Sequence, residues 1–184
     1  MSQLKIILAW IILIFTFALC IGSVILILSP MLTWFRKAPY VPSFNSHLKL
    51  IKDHLTLTSW AKLLDLGCGD GKAMRFFYKE FGLLCEGYDL NPFVILYGKL
   101  INRRKGIRNI KFVVSNFKKA QLHKYDYLYM YLFPNQMAAI EDWVFSNIKD
   151  DAIIIANSFK FLKHKPFDTI RNKKGQEIIR LYKK

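Results

Sequence analysis

Three glycines stand at every second position in the stretch LLDLGCGDGK, directly after an apolar run that ends in an aspartate. Gly67, Gly69 and Gly71 carry no Cβ atom, so a ligand can approach the backbone closely there. The residues that follow are patterned as a helix, whose first turn offers free N–H groups. A strand, a glycine loop and a helix in this order line the ligand-binding edge of α/β sheets. The stretch therefore predicts a site for a nucleotide-like ligand.

The spacing of the loop excludes one common phosphate site. A P-loop needs G-x-x-x-x-G-K followed by Ser or Thr, whereas Lys72 is followed by Ala73. A dinucleotide fingerprint reads G-x-G-x-x-G, and here the third glycine comes one place early. A glycine turn without a ligand is the remaining structural alternative.

A second signal lies in GYDLNP, at the end of the next predicted strand. Asp89 is 18 residues beyond Gly71, and a carboxylate in this position can accept hydrogen bonds from both hydroxyls of a ribose. Alone, Asp89 could be a surface turn residue, but with the glycine loop it indicates an adenosine-containing ligand. After the third strand, Asn116 could form a hydrogen bond with the edge of an adenine ring, and Phe117 could cover the face of that ring.

Apolar strands alternate with helical patterns along the chain, which indicates an α/β fold with a largely parallel sheet. The predicted strands are residues 62–66, 83–88, 110–115, 125–132 and 152–156. The predicted helices are residues 46–55, 71–81, 91–104 and 134–148. Two further strands flank a turn at residues 172–175, so the sheet should end in an antiparallel hairpin.

The N-terminal segment predicts a transmembrane helix. No charged residue lies between Lys5 and Arg36, and residues 6–28 are almost wholly apolar. About 20 such residues cross the hydrocarbon core of a bilayer. We expect this helix to end at Ser29 and Pro30. A signal peptide would have a shorter apolar run and a small-residue cleavage site. A lipoprotein signal at Cys20 would need a small residue where Leu19 stands, and a buried core helix is unexpected at this length.

The basic residues beside the predicted span indicate how the chain is oriented across the membrane. Lys5 precedes it, while Arg36, Lys37, Lys49 and Lys52 follow it, so the C-terminal domain should face the cytoplasm. The net charge of +15 also permits nucleic-acid binding. Beside a membrane span, attraction to an anionic lipid surface explains the charge more simply, and no added RNA-binding module is visible. Scattered cysteines and histidines predict neither disulfides nor a metal site.

LLDLGCGDGK followed by GYDLNP resembles the first two motifs of class I S-adenosylmethionine-dependent methyltransferases. The resemblance implies a Rossmann-like, seven-stranded class I methyltransferase sheet that ends in an antiparallel hairpin. The membrane span, PYVPS and YLFPNQM narrow the likeness to small membrane-anchored protein-lysine methyltransferases. Members of that group modify the ATP synthase c-subunit and the adenine nucleotide translocase.

The resemblance also implies roles for residues. S-adenosyl-L-methionine would be bound by Asp65, Gly67, Cys68, Gly69, Asp70, Gly71, Asp89, Leu90, Asn91, Asn116 and Phe117. Asn116 stands where many class I enzymes have an aspartate, and an amide must be oriented to present its acceptor. The methyl acceptor would be flanked by Tyr40, Tyr131, Phe133 and Pro134. The three aromatic residues among them could equally serve in packing.

The predicted protein has an anchor at residues 1–37 and a methyltransferase domain at residues 38–184. A lysine amine must lose its proton before it can accept a methyl group, and an aromatic, desolvated passage lowers its pKa. We expect a single-pass membrane enzyme that methylates lysine in a membrane protein and has neither nucleic acid nor metal as a partner. The alternatives are a lipid or small-molecule methyltransferase, an RNA methyltransferase, and a non-enzymatic anchor protein, which would leave Asp89 without a purpose.

Overall fold

A computed structural model describes residues 2–35 and 41–184. The chain divides into two units, residues 1–40 and residues 41–184. The helices are α1 (Ser2–Phe35), α2 (Asn45–His54), α3 (Lys72–Phe81), α4 (Pro92–Arg104) and α5 (Pro134–Asn147). The strands are β1 (Lys62–Leu66), β2 (Leu84–Asp89), β3 (Ile110–Val114), β4 (Tyr127–Met130), β5 (Ile153–Asn157), β6 (Asp168–Arg171) and β7 (Glu177–Tyr182).

The first unit contains α1, whose stretch Ile6–Leu28 is long and apolar enough to cross a membrane. The two hydroxyl groups of this stretch are satisfied within the helix, since Thr16 bonds the carbonyl of Leu13 at 2.9 Å and Ser23 bonds that of Leu19 at 2.8 Å. The predicted end at Ser29 and Pro30 is wrong, because α1 continues to Phe35. Proline removes one backbone donor, but its fixed φ is compatible with a helix, and apolar membrane-type helices tolerate it.

The second unit is built around one seven-stranded sheet with the order β3-β2-β1-β4-β5-β7-β6. Strands β1 to β5 are parallel, and β7 is antiparallel to both β5 and β6. The predicted α/β fold with a terminal antiparallel hairpin is therefore confirmed. The order reverses between β1 and β4, and ligands of open α/β sheets bind at the carboxyl ends of strands at such a switch point.

Side chains of the central strands alternate between two apolar layers, as the pleat of a strand requires. Tyr127 and Tyr129 of β4 belong to the layer that includes Ile51 of α2 and Phe77 of α3. Leu128 and Met130 belong to the opposite layer, which includes Val144 of α5. The continuous apolar strands of the sequence thus reflect a sheet that is covered on both faces.

Element boundaries differ from the prediction by a few residues. The predicted strand 125–132 is reduced to Tyr127–Met130, because the amide of Tyr125 bonds the carbonyl of Leu122 and closes a short 3-10 helix (Leu122–Lys124). A second unpredicted 3-10 helix covers Phe117–Lys119. Helix α3 begins at Lys72, one residue later than predicted, because the backbone of Gly71 is left-handed, and it ends at Phe81, as predicted.

Candidate active site

The glycine loop after β1 is held against the end of β2. The amides of Gly67 and Cys68 both donate to the carbonyl of Tyr88, at 2.9 and 3.0 Å. Gly67 has a φ of 81°, and a Cβ atom there would lie 3.0 Å from the Leu132 side chain. The loop after β1 therefore touches the segment after β4, and glycine is needed both for the backbone angle and for this contact.

The carboxylate of Asp89 bridges the loop and the start of α4. One oxygen accepts from the amide of Gly69 at 2.9 Å, and the other accepts from the amide of Asn91 at 2.8 Å. Each carboxylate oxygen can accept more than one hydrogen bond, so Asp89 keeps acceptor capacity for ligand hydroxyls. The structure thus brings Asp89 to the glycine loop, and its role in ribose binding stays a prediction.

Asp70 and Arg75 form a buried ion pair that no sequence pattern predicts. Arg75 contacts one carboxylate oxygen of Asp70 at 2.7 Å and also donates to its backbone carbonyl. The other carboxylate oxygen accepts from the amide of Lys72 at 3.0 Å. Both acceptor atoms of the Asp70 side chain are thus used to hold the loop. An Asp and an Arg five residues apart give no signal that distinguishes them from surface charges.

Two other predicted cofactor residues, Leu90 and Asn91, lie between β2 and α4. Asn91 caps α4, since its side-chain oxygen accepts from the amides of Phe93 and Val94 at 3.0 and 3.3 Å. Leu90, between Asp89 and Asn91, is 39% exposed. The carboxyl end of β2 therefore has both a capped helix start and an accessible apolar side chain.

Asn116 and Phe117 begin the short 3-10 helix after β3. The side-chain oxygen of Asn116 accepts from the amide of Lys118 at 2.9 Å, and the residue is exposed. The ring of Phe117 is half-buried and lies 6.3 Å from the ring of Trp143. Contact of either side chain with an adenine ring stays a prediction.

Asp65 is buried at the carboxyl end of β1, beside the loop that it precedes. Burial raises the pKa of its carboxyl well above the usual value, and the negative charges of Asp89 and Asp70 raise it further. In the sheet register, Asp65 is the partner of Tyr129 on the neighbouring strand β4. A carboxyl group in this environment can hold a proton or face a cationic group of a ligand.

Tyr129 is the centre of a buried polar network that spans three elements. Its hydroxyl bonds Ser43 and the side-chain amide of Asn157, both at 2.8 Å. The side-chain oxygen of Asn157 lies 2.9 Å from Nδ1 of His47 on α2. The network holds the segment before α2 on the layer of the sheet that contains Tyr129.

Three aromatic rings cluster beyond the ends of β4 and β5. Tyr131 and Phe133 each have a ring centroid 6.2 Å from that of Phe159. The chain turns between Asn157 and Phe159 at Ser158, which has a left-handed φ of 66°. The sequence predicts Tyr131 and Phe133 but not Phe159, because nothing in it relates Phe159 to residues more than twenty positions earlier.

Of the two remaining residues predicted to flank the methyl acceptor, the structure describes one, Pro134. Pro134 is the first residue of α5, where a proline is compatible with a helix. Tyr40 lies outside the described residues.

Residues 65–168 match the sequence profile of the family described as the ANTKMT methyltransferase domain. Over 124 residues, the chain is 28% identical to the ATP synthase c-subunit lysine N-methyltransferase of Homo sapiens, covering 67% of this chain and 52% of that protein. The corresponding protein of Xenopus laevis is 29% identical over 124 residues, covering 67% of this chain and 54% of the relative. The chain thus spans about half the length of the curated relatives it matches.

Among solved structures, an RNA methyltransferase from Salinibacter ruber in complex with S-adenosyl-L-homocysteine superposes with a TM-score of 0.71. The identity is 16%, and the match covers 78% of this chain and 93% of that one. At this identity the likeness concerns the fold. Because the family profile matches more than half of the sequence, from Asp65 in β1 to Asp168 in β6, the chain belongs to the ANTKMT methyltransferase-domain family.

Proposed function

We propose that this protein is an S-adenosylmethionine-dependent methyltransferase that methylates lysine side chains of a membrane protein. The observation that carries the proposal is the bridge from Asp89 to Gly69, because it joins a carboxylate with spare acceptor capacity to a glycine loop at the switch point of the sheet. The family match supports methyl transfer, and the names of the curated relatives support lysine as the acceptor.

The residues present fit S-adenosylmethionine. Asp89 would hold the ribose hydroxyls, and the open backbone of Gly67 and Gly69 would lie against the methionine part. Asp65 would attract the cationic amino group of that part, because none of the salt bridges among the described residues involves its carboxyl. When bound, the cofactor supplies an activated methyl group, so that the protein needs no nucleophile of its own.

The aromatic cluster of Tyr131, Phe133 and Phe159 would form the acceptor passage. Phe133 is 37% exposed, so its ring can be reached from outside, whereas Tyr131 and Phe159 are half-buried. Aromatic faces attract an ammonium group, and the removal of water around it lowers the pKa of the amine. The passage would therefore deliver a lysine with its lone pair free, on a long apolar stem that suits the rings.

We further propose that residues 1–37 anchor the enzyme and that residues 38–184 form its catalytic domain, on the side of the membrane that the basic residues Arg36 and Lys37 of the sequence favour. By the positive-inside rule this is the cytoplasmic side. The apolar stretch Ile6–Leu28 supports the anchor. The full chain should remain in the membrane pellet after an alkaline carbonate wash, and release into the supernatant would contradict a membrane span.

The acceptor is tested by incubating native membranes with the full-length enzyme and cofactor labelled in its methyl group. Lipid, protein and nucleic acid are then separated, and the protein is hydrolysed. Labelled methyl-lysine that disappears with an Asp89→Ala enzyme is the expected result. Label confined to the lipid fraction would instead establish a lipid methyltransferase, and label confined to nuclease-sensitive material would establish an RNA methyltransferase.

A further inference from the structure

Helix α4 has an apolar face that no described residue covers. Its inner face is buried through Ile95, Gly98 and Asn102, which fix the helix on the sheet. On its outer face, the exposed fractions are 39% for Phe93, 56% for Leu96, 59% for Tyr97 and 49% for Leu100. These four residues recur at helical spacing and form one stripe, which we call the α4 stripe. Exposed apolar stripes of this kind mark interaction surfaces.

The α4 stripe leads into a group of unpaired cations. The group consists of Lys99, Arg103, Arg104, Lys105 and Arg108. No member forms a salt bridge with a residue in the described ranges 2–35 and 41–184, whereas nearby Lys111 pairs with Glu86 at 3.0 Å. No acidic residue occurs between Asp89 and Asp126 in the sequence. The positive charge is therefore left for a partner outside the chain.

A cavity of about 360 Å³ opens among these cations, at the carboxyl end of α4. Its lining includes Lys99, Asn102, Arg103 and Arg108, together with apolar residues of the following segment and of β3. Lys99, Arg103 and Arg108 thus surround one cavity, and three cations can be satisfied together by an acceptor-rich anion such as a phosphate group.

We propose that the α4 stripe and this basic cavity dock on an anionic phospholipid surface, with a lipid phosphate in the cavity. A soluble phosphate compound would explain the cavity, but it would leave the four exposed apolar side chains uncovered. A protein partner would cover the stripe, but it would also need acidic groups for the five cations. A phospholipid surface provides both apolar chains and phosphates, and aromatic and basic side chains favour that boundary.

The docking surface is linked to the active site through α4 itself. The helix begins at Pro92, three residues after Asp89, and its cap residue Asn91 donates its amide to the Asp89 carboxylate. Its 13 residues span about 20 Å. The surface is nevertheless separate from the cofactor and acceptor residues, so lipid docking can be tested without measuring methyl transfer.

The test uses the full chain carrying Cys20→Ser, with one new cysteine labelled by an environment-sensitive dye. Cys68 and Cys85 are buried, and burial raises the pKa of both thiols, so we expect the dye to label the new cysteine instead. The dye is placed at Leu100→Cys, on the α4 stripe. The matched control is Lys173→Cys in the β6–β7 turn, since β6 and β3 are the opposite edges of the sheet.

Each labelled protein is reconstituted into vesicles whose lipids carry bromine in the acyl chains. One set contains phosphatidylcholine alone, and the other contains about one third phosphatidylglycerol. Flotation with the neutral vesicles reports on insertion of α1. The difference in dye quenching between the two sets reports on α4. We expect much stronger quenching at position 100 in the anionic vesicles and no difference at position 173.

Charge reversal by Arg103→Glu with Arg108→Glu should remove the difference at position 100, because each cation near an anionic surface contributes about fivefold in affinity. Equal quenching at position 100 in both vesicle sets would overturn the proposal. It would also be overturned if pyrophosphate raised the melting temperature while position 100 stayed unquenched, which would indicate a soluble ligand. Crosslinking of Tyr97 to a second copy of the chain in anionic vesicles would overturn it in favour of a dimer.

Discussion

The carboxylate of Asp89 accepts a hydrogen bond from the amide of Gly69 at 2.9 Å, across 20 residues of sequence. Its second oxygen accepts from the amide of Asn91 at 2.8 Å. One side chain thus connects the end of β2 with both the glycine loop and the start of α4. Any change at this position should affect the shape of the site as well as its charge.

Replacement of Asp89 by alanine should weaken cofactor binding about tenfold or more. Hydrogen bonds to a charged group contribute about 1.5–3 kcal/mol, and the variant loses those to the ribose and those that hold the loop. Calorimetric titration with S-adenosylmethionine and with its demethylated product measures the effect. Asp53→Ala, which removes an exposed carboxylate on α2, is the matched control. Unchanged affinity in Asp89→Ala would remove Asp89 from the site.

Gly67→Ala should disturb the site more than Gly175→Ala disturbs the hairpin. Both glycines have similar left-handed φ values, 81° and 79°. A Cβ atom at residue 67 would lie 3.0 Å from Leu132, whereas at residue 175 it would meet nothing within 4 Å. Both variants should lose about 1–2 kcal/mol of stability through backbone strain.

The cofactor affinity distinguishes the two glycine variants. Gly67→Ala should bind S-adenosylmethionine more weakly, because Leu132 and the loop must move apart, and Gly175→Ala should bind it normally. Melting temperatures with and without cofactor give both quantities in one measurement. An equal cofactor-induced shift in the two variants would show that the contact with Leu132 is irrelevant to binding.

Phe133→Ala and Phe159→Ala should lower turnover with little change in cofactor affinity. The two rings lie 6.2 Å apart and form part of the proposed acceptor passage. Loss of an aromatic wall admits water and weakens attraction to the ammonium group, so the Michaelis constant for the acceptor should rise as well. Phe167→Ala is the control, since that exposed ring contacts Lys183. If turnover fell equally in the control, the aromatic cluster would have no special role.

Asp65→Asn should become more stable relative to the native protein as the pH rises. Burial raises the pKa of this carboxyl in the folded state, so native Asp65 is favoured while protonated and loses stability as the pH increases through that pKa. The asparagine variant has no proton to lose. Melting temperatures in detergent at several pH values above about 4 test this. A stability difference that does not change with pH would contradict a buried, proton-holding carboxyl.

The same Asp65→Asn variant should bind the cofactor more weakly at neutral pH, if its carboxylate attracts the methionine amino group. Stability and affinity would then change in opposite directions. Asp53→Asn serves as the control for the general effect of removing one negative charge. Wild-type affinity in Asp65→Asn would assign residue 65 a purely structural role.

The order and type of the elements are predictable because each depends on a local pattern. Local sequence is enough to predict strand β1, the left-handed glycines at its end and helix α3, because each pattern covers only a few residues. The hairpin is equally local. The side-chain oxygen of Asn172 accepts from the amides of Lys174 and Gln176, and its backbone carbonyl accepts from the amide of Gly175. The predicted end of α1 is wrong because Pro30 reads as a stop signal, although an apolar helix can contain a proline.

Contacts between distant residues lie beyond what the sequence predicts. The bond from Ser43 to Tyr129 spans 86 positions, and that from His47 to Asn157 spans 110. Serine, tyrosine and histidine occur at many surfaces, so their types alone do not show that the fold brings them together. Phe159 joins the aromatic cluster in the same way, through the left-handed turn at Ser158.

The position of β7 has a consequence for biosynthesis. This strand follows both β5 and β6 in the sequence, yet it lies between them in the sheet, and Tyr182 is fully buried with its hydroxyl bonded to the amide of Phe161. The ribosome must therefore deliver residue 182 before β5 gains its second neighbour. Until then, β5 has an open edge that can pair with another chain. A nascent domain of this topology should need chaperone protection until β7 is inserted.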